Sequence, residues 1–211
     1  MFRVDAAHSF APPNQGPDWF ETILARNKFA GSIYCPPDGD IAAALTLASQ
    51  FPYIRRVVPR LSLAQLDQVP DHPLIVSVHL SDPTPQAIAS LARRRLAVEV
   101  DKDRWPFPCE IPVALTGMTD SISLPTNVYV KLTGFRLPAT PDQARRLRQL
   151  LRHPGPERVM FASGWPFGGG TWKETLAAFT QSLGAMPIPL REQILGGTAR
   201  EFYRLDEDNA A

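Results

Sequence analysis

Three ionisable residues stand at the ends of short apolar runs: His79 closes Leu74–His79, Asp101 ends Leu96–Asp101, and Lys131 lies one residue before the end of Val128–Leu132. Brought together, an ammonium, a carboxylate and an imidazole could hold an anion and move a proton. Lys131 would take the charged group, and Asp101 or His79 would act as general base toward water. Side chains alternate along a strand. If Val128, Val130 and Leu132 meet a helix layer, Tyr129, Lys131 and Thr133 turn the other way. The same parity sets Leu74, Val76 and Val78 outward with Ser77 and His79 inward, and leaves Glu99 and Asp101 inside. Arg3 and Asp5 share the inward parity of the first run and are expected to form a further interior pair. Each residue also has a purely structural reading. Lys131 could neutralise Glu99 or Asp101 in a buried ion pair, and His79 could be hydrogen-bonded without a ligand.

Those residues need elements to position them. Strand candidates are Phe2–Asp5, Ala30–Tyr34, Ile54–Val58, Leu74–His79, Leu96–Val100, Val128–Leu132 and Val159–Ala162, rich in Val and Ile and several of them bounded by Pro or Gly. An eighth near Ile111–Thr116 is weakened by Pro112. Helices are predicted at Asp18–Asn27, Ile41–Gln50, Pro85–Arg94, Pro141–Arg152, Thr171–Leu183 and Thr198–Leu205. Asp18 and Thr84 serve as expected N-caps, and Thr140-Pro141 places a cap before a proline at the first helical position. Strands alternating with helices argue a parallel sheet covered by helices. The expectation is a single domain over residues 1–211: a compact α/β (β/α)8 barrel with an irregular region at Asp101–Leu124 and no helix between its fifth and sixth strands. A doubly wound open sheet is the alternative. In such barrels the chemistry sits at the carboxyl ends of the strands, where Trp105, Phe107, Trp165 and Phe167 lie in Pro- or Gly-rich loops, lining a pocket or plugging the mouth.

Composition narrows the partners. The 22 basic and 21 acidic residues nearly cancel, so no global field attracts nucleic acid or a membrane surface. No apolar run approaches the roughly 20 residues of a membrane helix. The two cysteines, Cys35 and Cys109, make neither a disulfide framework nor a structural zinc site by themselves. A cytoplasmic protein is expected. Gly168-Gly-Gly170 ahead of Thr171 has the look of an anion loop but lacks the Lys-Ser/Thr of a P-loop.

Three segments carry a resemblance. Asn127-Val-Tyr-Val-Lys-Leu-Thr-Gly134 is similar to an N-V-Y-V-K-L-S-G strand, Arg158–Phe167 to R-L-M-F-G-S-D-W-P, and Ile194-Leu-Gly-Gly-Thr-Ala-Arg-Glu-Phe-Tyr-Arg-Leu205 to I-L-G-G-N-A-x-R-x-Y-x-L. In that order they resemble the amidohydrolase-related (amidohydrolase 2) TIM-barrel metal-dependent hydrolases. The resemblance implies that barrel and its site residues. The family's opening D-A-H-x-H-F carries two metal-binding histidines; Asp5-Ala-Ala-His-Ser-Phe10 puts Ala7 and Ser9 there, with His8 in the spacer and turned away. Asp101 matches the strand-five histidine, Ala114-Leu-Thr-Gly117 the D-H-L-G motif, and Gly164 the last-strand aspartate.

A catalytic zinc site needs about three protein ligands, so the match implies a degenerate member with no bound metal or other cofactor. Two functions follow as expectations. One is a non-catalytic barrel that binds a small anionic molecule or pairs with a partner, as a homodimer or with an active homologue. The other is a metal-independent hydrolase of a small carboxylated or lactone-like substrate using Lys131, Asp101 and His79. Arg3, Asp5, Glu99, Tyr129 and Trp165 are the expected ligand-binding residues around that centre.

Overall fold

Local chemistry starts most of the helices. Thr140 and Thr171 each accept a backbone N–H from the residue three positions on, while Gln143 and Glu174 reach back to the cap. Thr84 and Asp40 cap in the same way without the return bond. The computed structural model describes residues 2–9, 16–37, 39–104, 109–117, 124–166 and 170–206. In chain order the strands are β1 (Arg3–His8), β2 (Phe29–Tyr34), β3 (Ile54–Val57), β4 (Arg60–Leu61), β5 (Ser77–Leu80), β6 (Ala97–Asp101), β7 (Val113–Thr116), β8 (Val128–Leu132) and β9 (Val159–Phe161). The helices are α1 (Pro17–Arg26), α2 (Ile41–Gln50), α3 (Pro85–Arg93), α4 (Pro141–Arg152), α5 (Trp172–Leu183), α6 (Ile188–Glu192) and α7 (Thr198–Phe202).

Pairing is parallel within β1-β2-β3 and within β4-β5-β6-β7-β8-β9. Pro59, which has no N–H to give a ladder, separates β3 from β4, and the two together fill one position in the ring. The Val57 N–H donates to Leu74 O at 2.8 Å and the His79 N–H to Pro59 O at 2.9 Å, which carries the ring across that break. At the other seam the Gly164 N–H donates to Ala7 O at 3.0 Å and the Ser9 N–H to Trp165 O at 2.7 Å. The architecture is the expected α/β TIM-like barrel. β7 begins directly after Pro112, which supplies the weak eighth strand. Among the described residues no α-helix separates β6 from β7.

Two apolar layers follow from strand alternation. Val98, Val100, Val113, Leu115, Val130, Leu132 and Phe161 face the helices, while Ala97, Ala114, Met160, Val4 and Ile33 face the interior. The interior residues are small because a narrow ring leaves little room inside. Its amino-terminal end is filled by the C-terminal segment: Phe202, Tyr203 and Leu205 join the interior cluster. Buried Arg56 on β3 donates to Tyr203 O at 3.0 Å and to Arg204 O at 2.7 Å. Gly196 lets that segment approach, since a Cβ there would lie 2.0 Å from Phe2 O.

Several expectations are corrected. β1 runs on to His8. α1 starts at Pro17 with Gly16 as its cap, so Asp18 sits in the first turn and caps nothing. Val76 precedes β5 and packs on the interior cluster, not on the helix layer. The last helix ends at Phe202. A 3-10 helix at Leu63–Gln68 and α6 were not expected from the pattern. Trp105, Phe107, Phe167 and Gly168-Gly169 lie outside the described residues, and no described helix is long and apolar enough to cross a membrane.

Candidate functional site

The carboxyl ends of the strands surround an open cavity of about 510 Å3. Its floor is an ion pair inside the barrel. Lys131 Nζ donates to Glu99 Oε2, and both side chains are almost fully buried. Glu99 Oε1 also accepts from Tyr203 Oη at 2.7 Å and from Ser77 Oγ at 3.2 Å. The Lys131 ammonium lies 5.8 Å from the centre of the Tyr203 ring, a cation–π distance. Burial acts against the Lys131 charge, but the attraction and hydrogen bond of Glu99 outweigh it and hold the ammonium above its usual range. Burial drives the Tyr203 phenol well above its usual value in the same setting, with neighbouring Glu99 adding to it.

One level higher, β5, β6 and β7 deliver His79, Asp101 and Thr116. Asp101 pairs with Thr116 in register, as His79 does with Glu99. His79 Nε2 stands 3.7 Å from Asp101 Oδ1, while Arg60 donates to Asp101 Oδ2 at 3.1 Å. His79 Nε2 and Thr116 Oγ1 are buried and have no hydrogen-bond partner among the described residues. Burial pushes the His79 imidazole down to about 4, against the pull of Glu99. Cys35 lines the wall, where burial pushes its thiol up to about 11. Arg136 stands exposed at the rim.

The parity argument therefore brings Lys131, Glu99, Asp101 and His79 together. Trp165 also reaches the cavity, but only 3% of it is exposed, and its ring stacks on Phe20 at 5.5 Å. The other three expected residues are elsewhere. Arg3 pairs with Glu192 of α6 at 2.8 Å. Asp5 points to the helix side, accepting from Ser163 Oγ at 2.6 Å and Trp172 Nε1 at 2.7 Å, so no Arg3–Asp5 interior pair exists. Tyr129 sits at the amino end of β8 against the Phe202 ring, 5.1 Å between centres. Sequence reasoning missed Arg60, Thr116 and Arg136. Pro59 after the Val57-Val58 run was the available signal for a new strand starting at Arg60, and continuing the alternation from Ala114 would have found Thr116.

His8 is turned outward, as the spacer position implies. Its Nδ1 lies 3.0 Å from Ile33 O and its ring stacks on Phe20 at 4.4 Å. Burial pushes its imidazole down to about 3. Both histidines thus have folded-state values below the ordinary 6.5. Their contribution to stability is complete above pH 6.5 and is lost as pH falls to about 4 for His79 and about 3 for His8. For fully buried His8 the amount at stake is on the order of 3–5 kcal/mol. The expected result is a melting temperature that falls between pH 7 and 4.5, with a shallower fall in His8→Phe. The buried Asp5 carboxyl, raised by desolvation, works in the opposite direction. It cancels when the two proteins are compared. Identical slopes would refute the assignment to His8.

Residues 116–205 match the family model described as Amidohydrolase. Over that segment the chain is similar to the amidohydrolase family. Solved structures extend the likeness in fold along the chain. A probable 2-pyrone-4,6-dicarboxylic acid hydrolase from Acinetobacter baumannii, solved with citric acid bound, gives a TM-score of 0.70 at 16% identity over 96% of this chain and 98% of that one. A 2,6-dihydroxybenzoate decarboxylase from Rhizobium gives 0.66 at 12% identity over 97% and 98%. A 5-carboxyvanillate decarboxylase from Sphingomonas paucimobilis gives 0.61 at 11% over 97% and 98%. No curated protein matches the sequence.

The metal that the resemblance to amidohydrolases implies can be tested against the donors present. Ala7 has none, and the Ser9 hydroxyl is committed to Cys35 O. Gly164 adopts φ +60 with only Thr133 near its would-be Cβ. Asp101 and His79 remain, and among the described residues no three His, Cys, Asp or Glu side chains gather as a metal would require. The donors among the described residues do not fit a catalytic metal.

Proposed function

We propose that this amidohydrolase-family barrel binds a small organic acid at the carboxyl ends of its strands, without a metal and without turning it over. The observation that carries the reading is the open cavity of about 510 Å3 lined by His79 and Thr116, whose Nε2 and Oγ1 have no hydrogen-bond partner among the described residues. Buried polar atoms are nearly always hydrogen-bonded in folded proteins, so these two are complemented by what enters the cavity. Lys131 is already bound to Glu99 and shapes the floor electrostatically; Arg60 and Arg136 are the exposed cations of the lining. Absence of turnover rests on two features. The metal-ligand positions hold no suitable donors, and a His79 imidazole near 4 is a weak base at neutral pH.

Thermal melts against a panel of small organic acids, citrate included, test the binding, with hydrolysis and decarboxylation of each hit followed in parallel. A true ligand a hundredfold above its Kd is expected to raise Tm by about 5–10 °C, with no product formed. A second reading is metal-independent hydrolysis, favoured by the 3.7 Å approach of His79 Nε2 to Asp101 at the cavity wall. Product formation that survives chelation and disappears in Asp101→Asn and His79→Gln would establish that reading instead.

A further inference from the structure

The cavity has two chemically different sides, and each comes from one of the two strand sets. From β4–β8 come Arg60, His79, Glu99, Asp101, Thr116 and Lys131, all of them polar. From β1–β3 come Ala7 on β1, Cys35, Pro36 and Pro37 in the chain leaving β2, and Val58 just past β3. Trp165, bridged to His8 beyond the end of β9, continues that second side. The polar groups of Ser9 and His8 there are engaged within the protein. The Ser9 hydroxyl donates to Cys35 O, and His8 turns its ring onto Phe20 with Nδ1 3.0 Å from Ile33 O. A thiol packs as a small hydrophobe, and burial keeps that of Cys35 protonated, pushed up to about 11. An apolar wall facing a few placed polar groups is the usual make-up of a small-molecule pocket.

We propose that the side formed by Ala7, Cys35, Pro36, Pro37 and Val58 is the wall that determines specificity, and that it selects small organic acids with a hydrocarbon body over hydroxylated acids of the same skeleton. This rests on the ligand-binding reading above and names its ligand class. The ligand lies across the cavity, its polar end toward His79 Nε2 and Thr116 Oγ1 on β5 and β7 and its CH2 groups against the wall. Methylene groups placed there leave water with nothing to lose, which favours binding. A hydroxyl on the same face would leave water for a surface that offers it little: Ala7 and Val58 have no polar side-chain atom, a thiol is a weak partner, and Pro36 and Pro37 have no N–H to give. Burial of a hydroxyl without compensation is costly.

Calorimetry at pH 8 reads this with butanoate, pentanoate and hexanoate, and with two matched pairs: hexanoate against its polyhydroxy counterpart gluconate, and cyclohexanecarboxylate against quinate. Every compound carries the same single carboxylate, so whatever the rim cations contribute cancels. Affinity is expected to rise about threefold per methylene, and each hydrocarbon acid should bind at least about tenfold tighter than its hydroxylated counterpart. Cys35→Ser and Val58→Thr keep the shape of the wall and make it polar, so the methylene increment should shrink in both; melts of the free proteins check that each is folded. Thr116→Val acts on the opposite side. It should weaken every acid by about three- to tenfold and leave the increment intact. Gluconate or quinate binding as tightly as its hydrocarbon counterpart would overturn the selectivity while leaving the ligand-binding reading intact. A methylene increment unchanged in the folded wall variants would overturn the assignment of the wall. If none of the acids binds, the ligand-binding reading falls, and the ligand class with it.

Discussion

Replacing Glu99 by leucine is expected to cost about 3–5 kcal/mol of folding stability, because it leaves the Lys131 ammonium buried without its counter-charge. Lys131→Met should cost a comparable amount for the converse reason, although Glu99 keeps the Tyr203 and Ser77 donors. The double variant Glu99→Leu/Lys131→Met is expected to recover most of the loss. Desolvating two charges offsets much of their attraction, and an apolar pair of similar volume suits an interior already lined by Ala97, Ala114 and Met160. Denaturant unfolding of the four proteins forms a double-mutant cycle. Single losses below about 1 kcal/mol that simply add would remove the pair from any central place in the floor. The pH sign is also determined. A lysine held above its ordinary value contributes stability that is complete below about pH 10.5 and is lost as pH rises through the folded value, so the cycle belongs near neutrality.

Asp5→Ala should be nearly as damaging, by about 3 kcal/mol or more, since it orphans several buried donors together. One carboxylate accepts the Ala7 N–H at 3.2 Å, the Ser163 N–H at 2.8 Å, Ser163 Oγ at 2.6 Å and Trp172 Nε1 at 2.7 Å. It joins the middle of β1 to the chain leaving β9 and to α5, at the seam where the two strand sets meet. Ala7 and Gly164, both at the cavity wall, are held in place through it. Asp5→Asn tests the chemistry more finely: its amide NH2 would point at groups that are themselves donors, so shape is retained and acceptance is lost. Unfolding followed by tryptophan fluorescence and by circular dichroism should give one early transition in both variants. An Asp5→Ala protein as stable as the parent would show that the seam is held by the backbone bonds alone.

The alternation of Val128, Val130 and Leu132 with Tyr129 and Lys131, and of Val98 and Val100 with Glu99 and Asp101, was sufficient to assign the two faces of β8 and β6. Large β-branched residues fill the wide layer under the helices, and the interior takes what remains. The same rule failed on β1. There Val4, Ala6 and Ala7 face the narrow interior, where small apolar residues fit best, so polarity alone pointed Arg3 and Asp5 the wrong way. Tyr129 obeyed the parity yet lies at the opposite end from the cavity, because alternation fixes a side of the strand and not a depth.

What the chain determines by itself is local: the caps at Thr84, Thr140 and Thr171, the strand faces with a strong size contrast, and a set of family motifs in order. These depend on neighbours within a few residues, whose geometry the backbone repeats dictate. Only the tertiary structure decided which charges meet. Glu99 and Lys131 are 32 residues apart and Tyr203 is 104 from Glu99. Long-range pairing of this kind is set by ring closure and by the C-terminal segment entering the barrel, and no local periodicity records either event.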